Sequence, residues 1–283
     1  MLAPYKPSKV FDAQLTLEVW LRLVADEQLY DAMLAGRHGE AARARGMSDE
    51  EILVLDDLCA QPGTRWHVEN LRFRCTTMVA RVIQWHLPGT VQLLTRGSDD
   101  WMRDLAYEYL AYHQWKDLGH HQRFGECQRF AGFVRQRIAK RRRPPEHLET
   151  VLGLELAALE LLRAAAQVPP DAWPLTSDAD VAGLRPRRGP VHQVVELTVD
   201  ILDWLARPEG EPRATGGPVA ALLWVPSLAD AHRIMRLDPP ARALFEALDG
   251  ERTIDSIARE LGQTDLDLVP LVRRWLEEGA VVS

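Results

Sequence analysis

The side chains with which this chain could do chemistry are present but scattered. Nine histidines stand at His38, His67, His86, His113, His120, His121, His147, His192 and His232. A metal site needs His, Cys, Asp or Glu clustered at ligand spacing, and no His-Glu-x-x-His, Glu-x-x-His pair or His-x-His occurs. His113, His120 and His121 are close together in a polar segment, the setting of a solvated loop. The three cysteines, Cys59, Cys75 and Cys127, form no Cys-x-x-Cys and are odd in number, so neither a thiolate zinc site nor a disulfide framework is indicated. Cys75 falls in an apolar helical stripe and reads as a buried, inert thiol, because a nucleophilic cysteine needs an exposed electropositive setting. Asp56-Asp57 and Asp99-Asp100 point different ways on a helix or serve as caps. The hydrolase elbow Gly-x-Ser-x-Gly and the phosphate-binding glycine loops are absent. No catalytic residue, no metal ligand and no cofactor is expected in this chain.

What remains is binding, and composition narrows its kind. Of 283 residues 46% are hydrophobic and 27% charged, enough for a sizeable core. The formal net charge of −7 argues against nucleic acid and anionic membrane as partners, since phosphate contacts need a basic face. Lys140-Arg-Arg-Arg143 is the one basic run; it follows a helix, where cations complement the C-terminal dipole. No stretch approaches the roughly 20 apolar residues that span a bilayer. The first residues lack a signal-peptide pattern, and free thiols suit a reducing compartment, so a soluble cytoplasmic protein is expected. Nine tryptophans outnumber six Phe and five Tyr.

The elements that must position any site are mostly helical over 12–167. Leu17, Trp20, Leu21 and Val24 fall on one helix face. Ser48-Asp-Glu-Glu51 reads as a capping box before Ile52, Leu55 and Cys59. Leu71, Cys75, Met78, Val82 and Trp85 line one side of a longer helix that stops at Pro88-Gly89. Further helices are expected from Ser98-Asp-Asp100 through Trp101, Leu105, Tyr109 and Leu110, and over 125–140 with Phe130, Phe133, Val134 and Ile138. After Pro144-Pro145 a Leu- and Ala-rich helix runs to about 166, interrupted chiefly by Glu155 and Glu160, and reads as central to the bundle. On these stripes Trp20, Trp85 and Trp101 are expected in the core. Trp66, Trp115, Trp173, Trp204 and Trp224 lie nearer breakers and strand edges, where aromatics often grip another protein.

Composition turns Pro- and Gly-rich over 168–217, which reads as a linker holding an ordered island near 192–205. The island's β-branched residues suit a strand, while Val194, Leu197, Ile201 and Leu205 suit a helix. From 218 to 283 the pattern is strand, strand and three short helices. Strands are expected over 219–225 and 233–237. Asp238 caps a helix with Pro239 in its first position, Thr253 precedes a second, and Asp267 caps a third that carries Leu268, Leu271, Val272, Trp275 and Leu276. The expected fold class is mainly α: an N-terminal helical domain (1–167) followed by a small α+β winged-helix-like domain (218–283). A winged helix commonly puts its third helix in the DNA major groove. Here seven basic residues face eleven acidic ones over 218–283, and each acid would meet a polyanion.

The run Arg236-Leu-Asp-Pro-Pro-Ala-Arg-Ala-Leu-Phe-Glu-Ala-Leu-Asp-Gly-Glu-Arg-Thr-Ile-Asp-Ser-Ile-Ala-Arg-Glu-Leu261 resembles the PqqD-like fold, the recognition element of ribosomally made, post-translationally modified peptides (RiPPs). The resemblance covers roughly 65 residues. It implies that a precursor's leader peptide adds as a strand at the sheet edge and packs on the third helix, with backbone hydrogen bonds supplying affinity and pockets supplying register. The edge would be 232–237 and the facing helix 268–278. The peptide-binding residues so implied are Arg233, Ile234, Met235, Arg236, Leu271, Arg274 and Trp275. Arg233, Arg236, Arg273 and Arg274 would hold acidic leader residues, over an apolar floor of Ile234, Leu271 and Trp275, three residues that also suit an ordinary domain core.

Upstream, His86-Leu-Pro-Gly-Thr-Val-Gln-Leu-Leu94, Leu105-Ala-Tyr-Glu-Tyr-Leu110, Phe124, Phe130, Phe133 and Glu155-Leu-Ala-Ala-Leu159 follow one another in an order similar to the helical part of the TglI/MbnC-like partner proteins of multinuclear non-heme iron-dependent oxidative enzymes. The island at 192–205 and Arg187-Arg188 match nothing in that pattern. The resemblance implies a non-catalytic subunit, heterodimeric with a TIM-barrel iron enzyme, that presents a precursor peptide whose cysteine the enzyme modifies. The iron belongs to the partner. The competing expectations are a winged-helix transcription regulator with a ligand-binding or dimer-forming helical half, and a generic helical scaffold.

Overall fold

The computed structural model of the chain describes residues 11–95, 99–113, 123–138, 145–173, 184–208, 216–263 and 267–282. It is mainly helical with a small sheet. It divides into two compact units, one of Met1–Gln84 with Ser98–Glu126 and one of Trp85–Gly97 with Cys127–Ser283. No helix among the described residues is long and apolar enough to cross a membrane.

The first unit is built from α1 (Ala13–Ala25), α2 (Glu27–Leu34), α3 (His38–Ala44), α4 (Asp49–Ala60), most of α5 (Thr64–His86) and α7 (Asp99–Tyr112). Side chains close several helix starts, of which the sequence marks Ser48. Asp12 accepts from Leu15 N at 3.0 Å and Asp26 from Leu29 N at 2.9 Å, and Ser48 and Glu51 form the full capping box. Val19, Leu23, Leu29, Leu55 and Val68 make the core. The stripes expected on α1 and α5 are corrected. On α1 the buried residues are Val19, Leu23 and Val24, while Leu17 and Leu21 are exposed and Trp20 is half-buried against the core.

On α5 the inward face carries Val68, Arg72, Thr76, Val79, Ala80 and Ile83, and Met78 and Trp85 point outward. The reason is Arg72. Its Nε donates to Val24 O at 2.9 Å and its guanidinium lies 4.6 Å from the centre of the Tyr30 ring, so a cation occupies the buried face. Thr76 Oγ1 donates back to Arg72 O at 2.8 Å. Polar groups buried on the inner side left the apolar periodicity pointing the other way.

The second unit holds α6 (Pro88–Thr95), most of α8 (Arg123–Ile138), α9 (Leu148–Ala165), a 3-10 turn at Pro170–Ala172, β1 (Arg187–Arg188), β2 (His192–Leu197), α10 (Leu202–Ala206), β3 (Val219–Trp224), β4 (Arg233–Leu237), α11 (Pro239–Ala247), α12 (Ile254–Glu260), α13 (Val269–Glu277) and β5 (Val281–Val282). The island near 192–205 is both of its readings in turn, a strand and then a short helix. β2 is an outer strand of the same sheet as β3 and β4, in the antiparallel order β2-β3-β4. β1 pairs separately with β5.

β3 explains why the sheet sits where it does. Its residues are buried almost without alternation because both faces are covered. Ala220, Leu222 and Trp224 enter a cluster with Leu244, Phe245, Ile257, Val272 and Trp275 from α11, α12 and α13. Ala221 and Leu223 face the other way, with Val225 just beyond the strand, into a cluster with Leu154, Ala158 and Leu161 of α9. The period of two along an extended chain produces this sorting. Asp238 caps α11 as expected, accepting from Ala241 N at 2.8 Å with Pro239 in the first helical position. At α13 the cap position falls one residue later than expected, on Leu268, and Asp267 accepts only from Val269 N at 3.3 Å. Gly279 closes α13 with φ +74°, and a Cβ there would stand 2.9 Å from Pro226 Cβ, so only glycine fits.

Candidate functional site

β4 is an edge strand, and its pleat sorts the residues named from the sequence onto two faces. Met235 and Leu237 belong to the side of α13: Leu237 is core, and Trp275 Nε1 lies 3.1 Å from Met235 Sδ. Arg233 is on that side as well, with Nη1 donating to Glu278 O at 3.4 Å. Ile234 and Arg236 point the other way. Ile234 is opposite Leu223 in the ladder, and Arg236 Nε meets Asp200 Oδ2 at 2.6 Å, with Asp203 at 3.4 Å, just before and within α10. The seven residues are neighbours in space, but they do not form one surface.

The floor expected beneath a peptide on the α13 side is closed. Trp275 is 0% exposed, stacked edge-on against Phe245 at 5.4 Å between ring centres, and offers a peptide no surface. Its reading as groove floor is corrected to core. Its size and the helical spacing that brings Val272 and Trp275 onto one face of α13 put it there. Leu271 is partly buried against the same cluster. Arg274 is held by Glu278 at 2.8 Å. Of the four arginines expected to meet acidic residues, Arg236 and Arg274 already have carboxylate partners. Arg233 and Arg273 have none among the described residues.

The opposite face of the sheet, covered by α9, is less completely filled. A cavity of about 290 Å³ lies there, and its lining includes Trp85, Leu154, Ala158, Leu162, Leu205, Ala206, Leu223 and Ile234. Trp85 is 82% exposed and Ile234 39% exposed, so the cavity meets solvent beside the β4 edge. Its volume is at the lower end of ligand sites, roughly 300–1,000 Å³. The walls are mainly apolar, with His86, Glu155 and His232 as the ionisable side chains among them.

Of these three, Glu155 is buried on α9. Oε1 accepts from Gly89 N at 2.6 Å, and Oε2 accepts from Thr90 N at 3.0 Å and Thr90 Oγ1 at 2.6 Å. These donors are the first turn of α6, whose start carries Leu87 where a Ser, Thr, Asp or Asn would normally cap. Glu155 supplies that cap from 66 residues away. Burial pushes its carboxyl up to about 7, outweighing the lowering by Thr90 and the two backbone donors. Gly89 makes the approach possible, since a Cβ there would stand 2.9 Å from both Leu205 and Val151. The sequence does show Glu155 as one of the few acids in an apolar helix. What it does not show is that α6 begins uncapped, and the two facts together would have paired them.

The remaining tryptophans and titratable groups divide clearly. Trp224 and Trp204 are buried rather than gripping positions, and Trp224 Nε1 donates to Glu278 O at 2.9 Å. Trp66 and Trp101 are exposed, the latter against expectation. Trp115, His120, His121 and the basic run at 140–143 lie outside the described residues. His113 packs edge-on against Tyr109 and Tyr112. Burial raises the Cys59 thiol to about 12 and also raises Cys75, while Cys127 is fully buried. Among the described residues no three His, Cys, Asp or Glu side chains gather in a group that could hold a metal.

No protein-family model matches the chain, and no curated protein matches it in sequence.

Proposed function

We propose that this chain is a non-catalytic partner subunit. In this reading it holds the leader of a ribosomally made precursor peptide by strand addition on β4 and presents it to a TIM-barrel multinuclear iron enzyme that modifies a cysteine. The observation that carries it is the edge of β4, an outer strand paired on one side only, with an exposed Ile234 and an exposed, carboxylate-free Arg233. An outer strand presents backbone donors and acceptors that an extended peptide can complete. The antiparallel strands β3 and β4 followed by α11, α12 and α13 have the strand, strand and three-helix order expected of a PqqD-like, winged-helix-like module, which supports the same reading.

The iron is the partner's, so this chain's task is to bind and position. The test is reconstitution. The chain is co-produced with a TIM-barrel iron enzyme and a short cysteine-containing peptide encoded beside it, and the peptide is followed by mass spectrometry. The expected result is an oxidative mass change at the cysteine that requires the chain. Full modification without the chain, or a gene neighbourhood that encodes neither protein nor peptide, overturns the reading.

A further inference from the structure

Strand addition by itself leaves unsaid what selects one extended peptide over another, and the two faces of β4 supply an answer. On the α9 face the strand borders the apolar cavity at Ile234, walled by Trp85, Leu154, Leu162 and Ala206. On the α13 face the exposed edge presents Arg233, which makes a long 3.4 Å hydrogen bond to the Glu278 carbonyl and, among the described residues, meets no carboxylate. A fourth strand laid beside β4 would place successive side chains alternately on these two faces. We propose that the cavity is an anchor pocket for one aliphatic or aromatic side chain of an extended acidic peptide, and that the residue next to the anchor sets a carboxylate on Arg233.

The inference rests on strand addition to β4 and adds to it the recognition motif, an apolar residue beside an acidic one. The occupant follows from charge and shape. Arg236, on the cavity face, is already neutralised by Asp200 and Asp203, so that face selects an apolar group. Arg233, at the strand's start, meets no carboxylate among the described residues, so the other face selects an anion. The cavity exists because Ala158, Ala206 and Ala231 stand where larger side chains would fill it.

The proposal is tested on the full chain with displayed random twelve-residue peptides. The enriched sequence is then synthesised, labelled and titrated by fluorescence anisotropy. Enriched peptides are expected to share an aliphatic or aromatic residue adjacent to Asp or Glu. Ala206→Trp fills the cavity from an exposed helix position, and Ile234→Pro breaks the edge ladder; each is expected to weaken binding more than tenfold. Arg233→Glu is expected to turn the preference toward Lys or Arg at the neighbouring position. If Ile234→Pro abolishes binding while A206W leaves it within twofold, the anchor pocket is wrong and strand addition stands. If no peptide is enriched, or both variants bind like the parent, strand addition on β4 falls with it. Circular dichroism checks that each variant folds. Should Ile234→Pro not fold, protection of β4 amides from hydrogen exchange on adding peptide to the parent decides the strand question, and absence of protection overturns it.

Discussion

The two faces of the β2-β3-β4 sheet are covered by helices, yet the covers differ in kind. Against α11–α13 the sheet meets aromatic bulk: Trp224, Phe245 and Trp275 interlock with no exposed surface. Against α9 and α10 it meets alanines and leucines, and a cavity of about 290 Å³ remains beside the β4 edge. One face is filled by large buried aromatic side chains; the other keeps a cavity lined in part by alanines. The difference teaches where stability and recognition can be separated in this unit. Substitutions on the filled face should act on folding, and those around the cavity on binding.

The sharpest way to break that comparison is to empty the filled face. Trp275→Ala removes a fully buried ring in contact with Phe245 and Met235 and is expected to cost about 3–5 kcal/mol. Urea unfolding followed by circular dichroism measures it. A loss under about 1 kcal/mol would mean that the α13 face is as loosely filled as the other.

Next in size is the buried carboxylate at the cavity wall. Glu155 has a folded-state value near 7 against an ordinary carboxyl value of 4.5. Its contribution to stability is therefore fully present below about pH 4.5 and is lost as pH rises to about 7, where the charge must be buried. The loss amounts to about 3 kcal/mol at 1.36 kcal/mol for each unit of difference. Glu155→Gln keeps shape and an acceptor while abolishing the charge. Unfolding midpoints of parent and E155Q should converge near pH 4.5 and separate in favour of E155Q by pH 8. Parallel profiles would show that the three donors from Gly89 and Thr90 hold the carboxylate charged throughout.

Much of this architecture was readable from residues, and what was not has physical causes. Caps and breakers are local, so Ser48, Asp238 and Gly279 identified helix ends correctly. The strands β3 and β4 followed from short apolar runs between turns. Helix faces failed where polar groups were buried with partners: Arg72 on α5 depends on Val24 O and the Tyr30 ring, which no spacing rule contains. Glu155 failed for the same reason, because its donors come from α6. The seven residues expected at the peptide site were adjacent in sequence or on one helix. Adjacency in a strand means opposite faces, so Arg233 and Met235 parted from Ile234 and Arg236.

A smaller effect is expected at the Arg236 pair, which ties β4 to Asp200 and Asp203 on the cavity face. Arg236→Ala leaves the buried Asp200 with only its bond from Leu202 N at 3.3 Å. Because Arg236 is partly exposed, water screens the loss, and about 1 kcal/mol is expected in urea unfolding. Asp203→Ala should change stability less, since Asp203 is the more distant and more exposed partner. Equal losses would mean that the two acids act as one clamp.

Trp85→Ala has the smallest expected effect on folding and the greatest power to divide the two faces. The indole is 82% exposed at the cavity rim, so its removal takes little buried surface away from the folded chain, and stability should stay within about 0.5 kcal/mol of the parent. A peptide side chain seated between Trp85 and Ile234 would cover that ring, and losing the wall should weaken binding of an anchor-bearing peptide about tenfold, equivalent to about 1.4 kcal/mol. The same substitution should leave a peptide with alanine at the anchor position unaffected, because that side chain never reaches the ring. Measured together, the two peptides distinguish a rim that grips from a tryptophan that is merely exposed: equal weakening of both, or of neither, would remove Trp85 from the pocket and return the cavity to an unfilled gap beneath α9.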